Sequence, residues 1–186
     1  MLRWCLCTVF FLFSLTIWAN PNGERKALQL CAVCHGPVGL SMRPDSPNLA
    51  GLSADYISRQ LKRYRDGDRT HALMNVVSKQ LSEEDITNLS GWYSSIEIET
   101  YPAGERKATE SCAACHGLTG VPENPDVPIL AGQPLFFLID RLKKIRDGGA
   151  AAHAGMEEIA KQLEDKDIEN LASWYSSIRV EAYRPM

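Results

Sequence analysis

Cysteine is scarce in this chain of 186 residues, and its placement leaves nothing for cross-linking. Of the six, Cys5 and Cys7 sit in an N-terminal apolar run and the other four form two close pairs, so a structural disulfide framework is excluded. A basic excess is also missing. The 20 Lys and Arg stand against 23 Asp and Glu, a formal net charge of −3, which is the wrong sign for a nucleic-acid partner. The apolar run from Trp4 to Ala19 falls short of the roughly 20 residues that span a bilayer comfortably. Behind Met1-Leu2-Arg3 it has the basic end and apolar middle of a secretory signal, and residues 1–19 are expected to be removed after Ala19. Ile17 is larger than the small residue usual two places before a cut, so an uncleaved anchor with loose membrane association stays open. Either way the body of the protein is expected outside the cytoplasm, in the periplasm.

What is present is the pentapeptide Cys-x-x-Cys-His, twice: Cys31-Ala32-Val33-Cys34-His35, and 81 residues later Cys112-Ala113-Ala114-Cys115-His116. Two thiols three positions apart add across the two vinyl groups of one porphyrin, and the adjoining imidazole meets the iron. The pattern therefore reads as two covalently bound haem c groups, on Cys31 and Cys34 and on Cys112 and Cys115, with His35 and His116 as iron ligands. Thiol redox chemistry leaves each His without a role, and zinc ribbons space their Cys pairs far more closely than 81 residues.

The pentapeptides belong to a longer repeat. Residues 23–67 match 104–148 with 22 of 45 positions identical, and residues 71–101 match 153–183 with 17 of 31, one extra residue near 148–152 shifting the register. The expected division is 20–101 and 102–186. Each half reads as helical. A first helix covers Gly23 to Leu30; a second starts near Ser53, carries Tyr56, Ile57, Leu61 and Tyr64 on one face and stops at Gly67; a third begins at the cap Ser82-Glu83-Glu84-Asp85 and buries Ile86, Leu89, Trp92, Tyr93 and Ile96. In the second half Glu164 replaces Ser82, and Asp165 is expected to substitute as cap. The stretch 97–101 looks like a linker but recurs at 179–183, where nothing needs linking, so each tail is expected to pack on its own half. Halves of about 80 residues lie near the lower limit for an unaided core, and folding is expected to depend on the bound group.

The second axial position is expected about 40 residues downstream. Met74 and Met156 qualify, as do His71 and His153, each three residues before its Met. Thioether sulfur raises the potential and a second imidazole lowers it, and a carrier on the oxidising side of a respiratory chain calls for sulfur. The assignment is Met74 and Met156, with the two histidines on the surface or near the propionates. Met42 is a poorer candidate because its counterpart is Glu123.

In order, these features resemble class I cytochromes c: the haem motif, then Pro47-Asn48-Leu49-Ala50-Gly51, Met74, Leu81-Ser82-x-x-Asp85-Ile86 and Trp92-Tyr93. The second half repeats them with Pro128-Ile129-Leu130-Ala131-Gly132, Met156, Leu163, Asp167-Ile168 and Trp174-Tyr175. Two such halves in one exported chain resemble the dihaem cytochrome c4 type. The resemblance implies an all-α fold of two tandem class I domains, each of three to four helices wrapped around haem, and periplasmic electron transfer. It also implies that the carbonyls of Pro47 and Pro128 accept the proximal imidazole N–H. Ile129, where the first half has Asn48, puts any shared side-chain hydrogen bond there in doubt.

The expected function is a one-electron carrier between redox proteins, such as a respiratory complex, a terminal oxidase or a dehydrogenase. No substrate chemistry is expected of irons ligated on both faces. The alternative is a cytochrome subunit docked on a dehydrogenase, like the haem chain of a flavocytochrome c sulfide dehydrogenase. The basic stretches Arg59–Arg65 and Arg141–Arg146 read as solvated faces of the second helices, with some cations meeting propionates between the halves as the other possibility.

Overall fold

A computed structural model describes residues 21–102, 104, 109–150 and 152–184, so the expected export signal at 1–19 lies outside the described residues. Among the described residues the fold is all-α apart from one two-stranded sheet. In the first half α1 (Pro21–Lys26) runs through a π-helical turn, Ala27–Cys31, into α2 (Ala32–His35), followed by α3 (Ala54–Asp66), α4 (Ala72–Ser78), α5 (Glu83–Ser94) and β1 (Glu97–Tyr101). The second half has α6 (Glu110–His116), α7 (Leu135–Arg146), α8 (Ala154–Lys161), α9 (Asp165–Ser176) and β2 (Arg179–Tyr183). The helices α4 and α8 carry the two methionines and supply the fourth member of each expected set.

Helix ends follow local chemistry. The Ser53 hydroxyl accepts the Tyr56 N–H at 3.1 Å to start α3, and Gly67, at φ 91°, ends it. Ser82 and Asp85 form the reciprocal capping box of α5. The second half departs from expectation here. Asp167, not Asp165, supports the start of α9 by accepting the Glu164 N–H at 3.0 Å. Asp165 is engaged by Lys143 at 2.8 Å and Arg146 at 2.6 Å.

The first core gathers Leu52, Ile57, Leu81, Ile86, Leu89, Trp92, Tyr93 and Ile96, so α5 is its centre. Against it crosses α1, and the crossing is close because Gly23 has no side chain: a Cβ there would run into the Asn88 carbonyl and stand 2.8 Å from Trp92 Cβ. The second core places Trp174, Tyr175 and Ile178 of α9 and its C-terminal flank against Leu138 of α7.

The tails do two things at once. Ile98 lies over Gly51 and Val180 over Gly132, each on its own half as expected. The strands also pair antiparallel with one another, Glu97 opposite Tyr183 and Tyr101 opposite Arg179, which the expectation missed. A strand edge needs a partner, and each strand finds one in its repeat.

The rest of the contact between halves rests on pairs that the repeat has made unequal. The Asn48 N–H donates to Gln133 Oε1 at 2.9 Å while Gln133 Nε2 donates to the Asn48 carbonyl at 3.1 Å, both residues being buried. Their counterparts are Ile129 and Leu52, and Ile129 packs against the first core. Ser53, besides capping α3, donates to the Pro125 carbonyl at 2.7 Å. Its counterpart Pro134 cannot cap α7, and the Phe137 N–H that a cap would have taken donates across to the Pro44 carbonyl at 3.1 Å.

Two outcomes follow. Gly23→Ala is expected to cost about 1–3 kcal/mol because backbone would have to shift, whereas Gly91→Ala in α5, where a Cβ meets nothing within 4 Å, is expected to stabilise by about 0.5–1 kcal/mol; thermal melts of the holoprotein check both. Gln133→Leu, which copies the first half, strands the Asn48 N–H and carbonyl and is expected to cost about 1–3 kcal/mol in urea unfolding.

Candidate functional site

Each pentapeptide ends its helix at a glycine. Gly36 and Gly117, at φ 76° and 75°, turn the chain sharply after His35 and His116, and a Cβ on either would strike the carbonyl of Leu40 or Val121. The chain then loops back. The Gly39 carbonyl accepts from Leu49 N at 2.7 Å and Ala50 N at 3.1 Å, and the Gly120 carbonyl accepts from Leu130 N at 2.8 Å and Ala131 N at 3.1 Å.

This return brings a proline carbonyl under each imidazole. His35 Nδ1 lies 2.8 Å from the Pro47 oxygen and His116 Nδ1 lies 3.0 Å from the Pro128 oxygen. A carbonyl only accepts, so Nδ1 carries the proton and donates. Both rings are buried, and burial pushes both pKa values down, with the proline carbonyls opposing it. The rings are therefore neutral, and the tautomer leaves the Nε2 lone pair free for a metal. His71, at the N-cap of α4, adds to the lowering at His35.

The thiols of Cys31, Cys34, Cys112 and Cys115 are all free. Burial pushes the Cys31 thiol up, with Tyr93 opposing and Cys34 adding, which keeps it in the neutral form. The Tyr93 hydroxyl lies against Cys31 without a hydrogen bond of normal geometry, and Tyr175 is placed likewise beside Cys112. Burial, then the neighbouring thiol, pushes both phenols up. The indole N–H groups of Trp92 and Trp174 are also buried without a protein partner. Orphaned polar atoms at the same positions of both halves, beside paired thiols and a metal-ready imidazole, fit a covalently held haem. Sequence reasoning placed these aromatics in the core alone; their recurrence as a Trp-Tyr pair was the available signal.

Met74 and Met156 are half-buried in α4 and α8. His71 turns its Nδ1 back to the Met74 N–H at 3.2 Å, and His153 accepts from Gly155 N at 3.3 Å, so both histidines are exposed helix caps. The two methionine segments are held unequally. Asn75 accepts the His71 N–H at 2.6 Å and donates to the carbonyls of Tyr64 at 2.5 Å and Arg69 at 2.8 Å. Among the described residues its counterpart Glu157 makes one comparable bond, accepting the Ala152 N–H at 2.9 Å.

Asn48 accepts the Ser41 N–H at 2.8 Å, a bond Ile129 cannot make. The second half has removed the donor too, since Pro122 stands where Ser41 would be. The basic stretches are not simply solvated. Arg65 and Lys62 pair with Glu83, and Arg59 crosses to Asp126 at 3.0 Å. Arg141 is half-buried, and its pKa is lowered by burial and then by Arg69, with Tyr56 and Tyr64 opposing and Arg63 adding.

Residues 99–174 match the family model of cytochrome c oxidase, cbb3-type, subunit III. Cytochrome c-552 of Acidithiobacillus ferridurans is 30% identical over 80% of this chain and 73% of its own length. Cytochrome c4 of Pseudomonas aeruginosa is 26% identical over 93% of this chain and 98% of its own. The chain belongs to the dihaem cytochromes c of the c4 type. It carries two covalently bound haem c groups and is an electron carrier. A protein of Thiomonas intermedia (strain K12) named thiosulfate dehydrogenase electron acceptor is 29% identical over 86% of this chain and 85% of its own length. The fold matches reduced recombinant cytochrome c4 from Pseudomonas stutzeri with a TM-score of 0.71 at 24% identity, over 84% of this chain and 97% of that one.

Asn75→Ala removes three hydrogen bonds at once and is expected to destabilise the Met74 segment by about 1–3 kcal/mol, read as faster amide exchange over 71–75. Glu157→Ala is expected to change exchange over 152–157 much less.

Proposed function

We propose that this c4-type cytochrome is a periplasmic one-electron carrier in which each half, 20–101 and 102–186, holds one haem, after removal of residues 1–19 as a signal. Cys31 and Cys34 would carry the first haem between His35 and Met74, and Cys112 and Cys115 the second between His116 and Met156. The observation that supports this is the recurrence, in both halves, of a buried neutral imidazole with Nδ1 on a proline carbonyl beside two free thiols. Bound haem supplies one-electron exchange at iron.

The chain's own residues do the rest. Pro47 and Pro128 fix ring orientation and keep Nε2 basic. Asn75 and Glu157 set the segments of Met74 and Met156, whose sulfurs would help hold the iron and would favour its reduced form. Arg69 and Arg141, near Tyr64 between the halves, are the cations that would meet the propionates. Such carboxylates offset the mutual repulsion of the two guanidinium groups.

A second reading concerns the donor. The Thiomonas intermedia relative is named for accepting electrons from thiosulfate dehydrogenase, and this supports a dehydrogenase of reduced sulfur compounds as electron donor here. Reduction of the purified protein by such an enzyme with thiosulfate supports that reading, and no reduction opposes it.

The assignment of sites is tested by mass and spectrum. The secreted protein is expected to carry the mass of two haems, Cys31→Ser/Cys34→Ser one, and Cys112→Ser/Cys115→Ser one. Met74→Ala and Met156→Ala are each expected to lose about half of the near-infrared sulfur-to-iron band. Full retention of that band in either Met variant would remove that residue from the assignment.

A further inference from the structure

The two methionine helices are tied to their halves by different chemistry. In the first half the Asn75 amide reaches out of α4 and donates to the Tyr64 carbonyl of α3 at 2.5 Å and to the Arg69 carbonyl of the connecting loop at 2.8 Å. Around it the Arg69 guanidinium lies 4.6 Å from the centre of the Tyr64 ring and donates to Gln60 at 2.7 Å, while the Tyr64 ring meets the His71 ring edge-on at 6.4 Å. The start of α4 is thereby joined to α3, to the loop and to its own cap.

Of these groups only the histidine recurs. In the second half Arg141, Ile145 and Glu157 stand where the first has Gln60, Tyr64 and Asn75, and no arginine lies between Arg146 and His153. A carboxylate only accepts, so Glu157 cannot repeat the two bonds that the Asn75 amide donates. What it accepts, at 2.9 Å, is the N–H of Ala152, a residue of the loop that leads into α8. His153 turns its Nδ1 to the Gly155 N–H, where His71 holds the N–H of the methionine itself. Gly155 also stands where α4 has Leu73, and a glycine inside a helix weakens it. The far end of α8 is firmer. Ala160 is fully buried, and Arg146 donates to the Leu163 carbonyl at 3.4 Å, so α8 is anchored behind Met156 rather than in front of it.

We infer that Met156 is a releasable ligand: the first turn of α8 swings away about its anchored far end and leaves the second haem to a small neutral diatomic molecule of the carbon monoxide kind, while Met74 stays in place. The inference rests on the axial assignment proposed above. In the exchange the bond from the Met156 sulfur to iron breaks, a bond from the incoming molecule forms, and no electron is transferred. Segments that move are drawn from the least tied part of a fold, and the two halves differ in that respect at this one helix. A neutral ligand is favoured over an anion because Glu157 and Glu158, the next two residues, set carboxylates beside Met156. One half then keeps its iron for electron transfer, and the other half also answers to a dissolved gas.

The test adds carbon monoxide to the fully reduced holoprotein, with haem content and the methyl signals of the iron-bound methionines recorded first. A missing Met156 signal before any gas is added removes the axial assignment itself, and the inference with it. With both signals present, one carbon monoxide is expected per two haems, the Met156 signal disappearing and the Met74 signal remaining. The rate of uptake is expected to level off as the gas concentration rises, because release of Met156 limits it. In Met156→Ala the rate is expected to rise linearly and to be faster by about tenfold or more, the factor set by the small open fraction of the wild type. Asn75→Glu, which places the second half's residue in the first, is expected to raise the stoichiometry from one to two; Asn75→Ala replaces it if that variant loses haem. No binding to the wild type, or binding at both haems with loss of both methyl signals, overturns the inference while the axial assignment stands. A stoichiometry of one in both Asn75 variants also overturns it, because the amide would then not be what holds Met74.

Discussion

A backbone carbonyl aimed at a buried imidazole is the contact on which the rest of each half depends. His35 and His116 are taken out of water, and burial alone would leave the tautomer undetermined. The carbonyls of Pro47 and Pro128, at 2.8 and 3.0 Å, settle it by demanding a proton on Nδ1. Much of the local structure serves that placement. The positive-φ glycine after each His turns the chain, the Gly39 and Gly120 carbonyls gather the returning loop, and the Tyr93 and Tyr175 carbonyls tie that loop to the last helix through Gly51 N at 3.1 Å and Gly132 N at 2.9 Å.

Paired positions of the repeat differ between the halves, and the differences are matched. Loss of the Asn48 amide at Ile129 goes with loss of the N–H it would have accepted, because Ser41 has become Pro122. Loss of the Ser53 cap at Pro134 releases the Phe137 N–H, which reaches the other half. Leaving one partner of a buried hydrogen bond costs more than removing both, so such changes persist in pairs. The result is two copies of one site joined by an interface that neither copy could form with itself.

Local signals in the sequence were strong wherever one residue type meets one need. The pentapeptides, the Ser53 and Ser82 caps, the stop at Gly67 and the buried face of α5 could all be read directly. What could not be read depends on contact between distant segments. The pairing of β1 with β2 joins residues 78 to 86 apart in the chain, and the Asn48 to Gln133 exchange depends on a docking geometry that no periodicity encodes. Asp165 looked like the substitute cap because it is acidic and adjacent, yet two cations from α7 claim it and Asp167 serves instead. The basic stretches likewise read as solvent-facing from charge pattern alone, while Arg141 is half-buried.

The central claim is that each half presents a neutral imidazole and a methionine sulfur to one iron. Proton NMR of the fully reduced protein tests it most directly, because a methyl group on an iron-bound sulfur sits under the porphyrin ring current and moves far upfield of the protein envelope. The account predicts two such three-proton signals, one lost in Met74→Ala and the other in Met156→Ala. A spectrum with neither signal, or with one that both variants retain, would contradict it.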